Sequence, residues 1–283
     1  MIRNIFLEEI SNHEWCFVYP ESAFEYDKNL DNAQDFANSG NIKEARRILL
    51  ELIENSPTHI DSYHHLALLF YWENLIDIAL QLWEIATNIG LACFPKKFRT
   101  GIDLLEYSIL SNRPFLRAYH ALGLAYLRRF SYELDILRHS NVERALSIFE
   151  NIMMWNPNDN QGVRALAIEC SFELKKADNV IKICEKFSND ILEEVIYGKA
   201  LALLQVDRVD EAELALEDAI KRNRLIAEML ARKNYKNPKI IVDQFSESRS
   251  KEEEAYSYWH RNRKYWQQTK KAIDLIRRCL KKM

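Results

Sequence analysis

Glycine and proline are scarce in this chain, six of each in 283 residues. That excludes a turn-rich β fold, whose tight connections need such residues at short, regular intervals. The five cysteines (Cys16, Cys93, Cys170, Cys184 and Cys279) are odd in number and widely spaced. None forms a C-x-x-C pair, so neither a disulfide framework nor a structural zinc site is expected. No stretch approaches the roughly 20 apolar residues of a membrane helix. Met1–Glu9 carries neither a long apolar run nor a small-residue cleavage site, so we expect a soluble, cytoplasmic protein. The net charge of −3 and the pI near 6.2 give no global pull towards nucleic acid or membrane. No Ser-His-Asp order, H-E-x-x-H, G-x-x-x-x-G-K or G-x-G-x-x-G occurs. We therefore expect no enzyme and no cofactor.

What the chain does have is 48% apolar residues, enough for a continuous core, and an internal repeat. Shifted by 34 positions, residues 26–59 superpose on 60–93: Ala33 falls on Ala67, Phe36 on Phe70, Ala45 on Ala79, Leu49 on Trp83 and Leu52 on Ala86. That period and that small/large alternation resemble the tetratricopeptide repeat (TPR), in which helical hairpins bury their apolar faces by stacking on one another. In the first copy, Ala33 leaves room where the second helix crosses, Phe36 is expected to fill the hole beside it, and Gly40 ends the first helix. Ala45, Leu49 and Leu52 then belong to the second helix, and Pro57 stops it.

The register breaks over 94–115, bracketed by Phe94-Pro95 and Arg113-Pro114, and restarts at Leu116. Gly123 to Ala145 is 22 residues where Ala33 to Ala45 is 12, so about ten extra residues lie around Phe130–His139, as a longer helix pair or a loop. Asn156-Pro157-Asn158-Asp159 reads as a turn and helix cap. Repeat four lacks its central alanine, and repeat five is clear in Ala200, Leu203, Ala212, Leu216 and Ala219. Beyond Arg224 the pattern dissolves; Asn237-Pro238 reads as a turn, and 251–266 and 268–280 as two more helices. The expectation is an all-α, right-handed TPR solenoid of about five repeats (26–59, 60–93, 116–159, 160–192 and 193–226) with an irregular insert at 94–115. An N-terminal extension or cap occupies 1–25, and capping helices occupy 227–283.

Two stretches, 112–125 (Asn112-Arg113-Pro114-Phe115-Leu116-Arg117-Ala118 and onward) and 156–164 (Asn156-Pro157-Asn158-Asp159-Asn160-Gln161-Gly162-Val163-Arg164), carry a further resemblance. With Asn237-Pro238 and Tyr256-x-x-Trp259, they are similar to a bacterial family of TPR proteins without an established activity, and more distantly to the suppressor-of-tumorigenicity-seven proteins. The resemblance implies a helical array over roughly 60–280 and carries no catalytic residues with it.

In a TPR array, certain first-helix positions line the concave face. The register assigns Asp61, His64, Leu68, Tyr71 and Trp72 there from repeat two, and Arg117, His120, Leu124, Leu127 and Arg128 from repeat three. Repeat four gives Arg164, Ile168 and Phe172; repeat five gives Glu194, Tyr197, Leu201 and Gln205. His, Tyr, Trp, Phe and Arg are anchor types of binding surfaces, and Arg117, Arg128 and Arg164 would suit an acidic segment. The bland alternative is that these are solvated helix residues whose arginines pair locally. The carboxylate clamp of chaperone-binding arrays is mostly missing, with Leu30 and Gln34 at its first positions.

His59, His64 and His65 cluster, and His64 faces the register of His120, but a zinc site needs a further ligand, for which only Asp61 is near. Residues 249–283 hold 11 basic and 4 acidic side chains, against 5 and 11 in residues 1–60. That basic, aromatic-interleaved tail supports nucleic-acid binding or a regulatory role as the alternative function. Its apolar series Ala272, Ile273, Leu275, Ile276, Cys279 and Leu280 instead suits a helix packed on the last repeat. The expected partner is a protein or peptide, with acidic character, rather than nucleic acid or membrane; homo-oligomerisation is left open.

Overall fold

The computed structural model describes residues 5–20, 23–129, 135–232 and 250–283. Among them, thirteen α-helices and one β-hairpin form a helical repeat solenoid. By internal contacts the chain divides into two units, Met1–Val163 and Arg164–Met283.

The first unit opens with an antiparallel hairpin, β1 (Phe6–Ser11) and β2 (Glu14–Val18), turning at His13 with φ 65°. The extension or cap expected over 1–25 thus contains two strands, for which the sequence pattern gives no expectation. Trp15 and Phe17 alternate inward and are buried. Three helix pairs follow: α1 (Ala23–Asn38) with α2 (Ile42–Asn55), α3 (Ile60–Trp72) with α4 (Ile76–Leu91), and α5 (Arg113–Arg129) with α6 (Asp135–Trp155). Gly40 and Asn74 take left-handed φ of 83° and 63°, which ends the first helix of a pair and starts the second two residues on. Asn41 then caps α2 by accepting from the Glu44 amide at 3.3 Å. Ala33, Ala45, Ala67 and Ala79 are buried at the crossings, as their small size requires. At the corresponding place in α5 even alanine is too large: a Cβ on Gly123 would lie 2.6 Å from the Phe149 ring.

One core expectation fails here. Phe36 is 38% exposed: among the described residues no helix pair precedes its own to cover it. Phe70, at the same position one repeat later, lies 4.7 Å beneath the Arg46 guanidinium of α2.

The insert is irregular but threaded into the core. Leu105 is fully buried and donates its amide to Trp155 O at 2.8 Å. Trp15 N donates to Leu104 O at 3.0 Å, and the buried Asn112 side chain accepts from Phe17 N and donates to Trp15 O, both at 3.0 Å. The outer edge of β2 is thus satisfied. Helix α5 begins at Arg113, three residues before the expected restart, with Pro114 in the first turn where a missing N–H costs little. Of the expected insertion, residues 130–134 lie outside the described residues; from Asp135 the excess is helix.

The second unit holds α7 (Val163–Glu173), α8 (Ala177–Lys186), α9 (Glu193–Gln205), α10 (Val209–Arg222), α11 (Arg224–Ala231), α12 (Lys251–Gln268) and α13 (Ala272–Lys282). Left-handed Lys175 and Asp207 end α7 and α9 as Gly40 and Asn74 end α1 and α3. Helix α11 begins where the sequence pattern was expected to dissolve; the Asn237-Pro238 turn lies outside the described residues. Ser250 and Glu253 form a reciprocal capping box that starts α12. The helix runs to Gln268, two residues beyond expectation, and Lys271 at φ 64° turns the chain into α13. Helix α13 packs on α10 and α11, whereas α12 packs on α11 and α9.

Candidate functional site

The left-handed turn residues fix the repeat register more firmly than the apolar pattern does. Each lies seven residues after the small or crossing residue of its helix: Gly40 after Ala33, Asn74 after Ala67, Lys175 after Ile168, and Asp207 after Ala200. For repeats two and five this keeps the register used in the sequence analysis; the corresponding turn of repeat three lies outside the described residues. For repeat four it moves them by one residue, so that Glu169, Phe172 and Glu173 belong there. Ile168 is a buried crossing residue, and Arg164 is paired with Asp190 and lies 5.3 Å from the Phe187 ring centroid. Without its central alanine, repeat four gave the sequence pattern nothing to anchor on.

In the second unit the inner face is covered. Helix α12 lies along it, and its contacts fall on the expected inner positions. Phe172 stacks on Tyr265 with centroids 5.2 Å apart, and Glu173 pairs with Lys264. Glu194 pairs with Arg261 at 2.5 Å, Tyr197 packs on Tyr258 at 5.4 Å, and Gln205 donates to the Thr269 hydroxyl at 3.0 Å. Tyr197 and Leu201 are buried, and the Tyr197 hydroxyl donates to Asn223 O at 2.6 Å. Phe172, Tyr197, Leu201 and Arg164 are therefore not open groove residues, and Gln205 is in contact with the chain's own helix. Burial pushes the Cys184 thiol up to about 12, consistent with the apolar role expected for it and for Cys170.

In the first unit, α3 and α5 pack side by side and present the corresponding positions. Asp61 is buried and accepts from Arg117 at 2.5 Å across the two helices. His64 is buried, and its Nδ1 accepts the Trp83 indole N–H at 3.1 Å; Nε2 therefore carries the proton. The His65 ring meets it edge-on at 5.2 Å. Burial holds His64 well below the ordinary histidine value of 6.5, with His65, Arg117 and His120 adding to the effect. His65 and His120 are lowered as well, chiefly by burial. On α3 and α5, three of the buried polar atoms that lack a hydrogen-bond partner among the described residues come from these positions: Asp61 Oδ1, Arg117 Nε and His120 Nε2. At the open end, Trp72 is 61% exposed beside a recess of about 120 Å³ lined by Gln34, Ala37, His65 and Leu68. Tyr71 and Leu124 are half-buried, and Arg128 is exposed. Leu127 is fully buried, so it belongs to the core rather than to the groove.

Among the described residues, the histidines and Asp61 do not converge as a set of metal ligands. The one such set is Glu213, Glu217 and Cys279, where the two carboxylates already face Lys282 and Glu213 also faces Arg278. Sequence reasoning missed the three unpartnered atoms and the covering by α12, because both depend on contacts between segments far apart in the chain.

Stacked helix pairs with small residues at the crossings and an inner face of aromatic, histidine and arginine side chains define a TPR-like repeat protein. The family model described as "Transcriptional repressor TCF25" matches residues 23–283, and the chain belongs to that family. The TPR character of the sequence reading holds, while the family comes from this match and not from the two motifs that resembled a bacterial group. The hairpin lies outside the matched residues. No curated protein matches the sequence. Among solved structures, the chain is similar to YrrB, described as "a TPR protein with an unusual peptide-binding site". The identity is 15%, with 83% of this chain and 98% of that one covered and a TM-score of 0.45. It is also similar to the C-terminal part of a TPR repeat-containing protein from Cytophaga hutchinsonii, at 17% identity, with 87% and 98% covered and a TM-score of 0.34.

Proposed function

We propose that this protein is a non-enzymatic interaction scaffold that holds a segment of another protein on the inner face of repeats two and three. One observation carries the reading: the inner positions of α3 and α5 combine the exposed Trp72 and its recess with the unsatisfied Arg117 Nε and His120 Nε2. Exposed tryptophan is a frequent interface anchor, and a buried donor or acceptor without a partner is stabilised when a ligand supplies one. A family described by transcriptional repression is compatible with a protein that acts by gathering others. The alternative, nucleic-acid binding by the C-terminal helices, loses much of its support because Arg261, Lys264, Arg278 and Lys282 are paired with Glu194, Glu173 and Glu213.

The test is affinity purification from native cells with wild type beside a Trp72→Ala/Arg128→Glu double variant, both at exposed positions. A protein retained by wild type and lost by the variant supports the reading. Identical retention by both proteins overturns it.

A further inference from the structure

From α12 we infer that the inner face of repeats two and three takes an α-helix rather than an extended peptide, and that this helix carries a carboxylate opposite Arg117 and an apolar residue opposite Trp72. The inference rests on the scaffold reading above and specifies its partner.

Helix α12 shows how this repeat type seats a helix. Its side chains meet equivalent positions of successive repeats. Counted from the crossing residue of each first helix, Lys264 faces the fifth residue on (Glu173), Tyr265 the fourth (Phe172), Arg261 the sixth residue before (Glu194) and Tyr258 the third before (Tyr197); Thr269 then reaches the fifth residue on in the last repeat (Gln205). The same count in the first unit gives Trp72 for Glu173, Tyr71 for Phe172, Arg117 for Glu194, His120 for Tyr197 and Arg128 for Gln205. The aromatic position is kept, Glu194 is replaced by a cation, and Glu173 by an exposed tryptophan.

A helix in that seat would therefore place an acid where α12 has Arg261, an apolar side chain where it has Lys264, and an acid where it has Thr269. The acid opposite Arg117 would meet the Nε–H that Asp61 leaves unsatisfied, since Asp61 accepts from Nη2. Two acceptors on one guanidinium is an arrangement its planar fork allows. The His120 Nε2 would face the position of Tyr258, where a hydroxyl can satisfy it. The native α12 sequence would not fit, because Arg261 would face Arg117.

The test uses fluorescent peptides of residues 251–269 and the full-length protein. The designed probe carries Arg261→Glu, Lys264→Leu and Thr269→Glu; a second adds Asn262→Pro to break the helix; a third is the unaltered sequence. We expect the designed probe to bind, the proline probe and the native sequence to bind at least tenfold more weakly, and Trp72→Ala or Arg128→Ala in the protein to weaken the designed probe tenfold. Equal binding of the proline probe, still sensitive to Trp72→Ala, overturns the helix while leaving the inner face as the binding surface. No binding of the designed probe, or binding indifferent to both protein variants, overturns the proposed seat; the purification experiment then judges the scaffold reading independently.

Discussion

At the scale of single residues, burial decides which side chains are read correctly from sequence. His64 accepts from Trp83 inside the first unit and resists protonation there. Its folded pKa is depressed, so it contributes stability above the ordinary value of 6.5, and that stability is lost as pH falls below it, where the unfolded chain takes up a proton the folded one refuses. His65 and His120 shift the same way. The urea midpoint should fall between pH 7.5 and 5.5, and His64→Gln, which keeps an acceptor for Trp83 without titrating, should flatten that dependence. Gly123→Ala should cost about 1–3 kcal/mol in the same measurement, because a Cβ would press on the Phe149 ring. The alanines at the crossings were legible because small residues at a 34-residue period have one geometric reason to recur. Phe36 was not, because the same pattern recurs in the first pair, which no described helix pair precedes.

At the scale of elements, connections were harder to read than helices. The helix-ending turns at Asn74, Lys175 and Asp207 use non-glycine residues in the left-handed region, so their sequence carries no glycine signal. The hairpin was invisible because six residues such as Phe6–Ser11, with only Leu7 clearly buried, give a weak alternation. Helix α12 was foreseen as a helix, but nothing local announces the surface it covers. Its anchor is Trp266, fully buried against Tyr197 and donating its indole N–H to the Tyr258 hydroxyl at 3.0 Å. Trp266→Ala should cost about 3–5 kcal/mol, readable as a drop in melting temperature. A chain ending at residue 249 should bind a hydrophobic dye such as ANS, since Phe172 and Tyr197 would lose their cover.

At the scale of the whole molecule, charge is asymmetric along the sequence, but much of the asymmetry is answered inside the fold. Of the basic side chains in residues 249–283, Arg261, Lys264, Arg278 and Lys282 meet carboxylates of α7, α9 and α10, and Arg263 lies 4.3 Å from the Trp259 ring centroid. Fluorescence anisotropy with 20-mer duplex DNA or single-stranded RNA should therefore show no salt-sensitive binding at micromolar protein. A clear salt slope would restore the nucleic-acid alternative. The sequence made the positive tail plain; its neutralisation was hidden, because the answering acids sit in repeats four and five and reach it only once α12 and α13 are packed.

The seating of α12 also bears on stoichiometry. A repeat array gains avidity by offering several equivalent seats to a partner with several copies of a motif. Here the chain covers the inner face of its second unit with its own helix, which the covalent link holds at high local concentration. On the seat proposed above, binding is monovalent: titrations should saturate at one bound segment per chain, and linking two copies of that segment should bring no gain in affinity beyond the statistical factor.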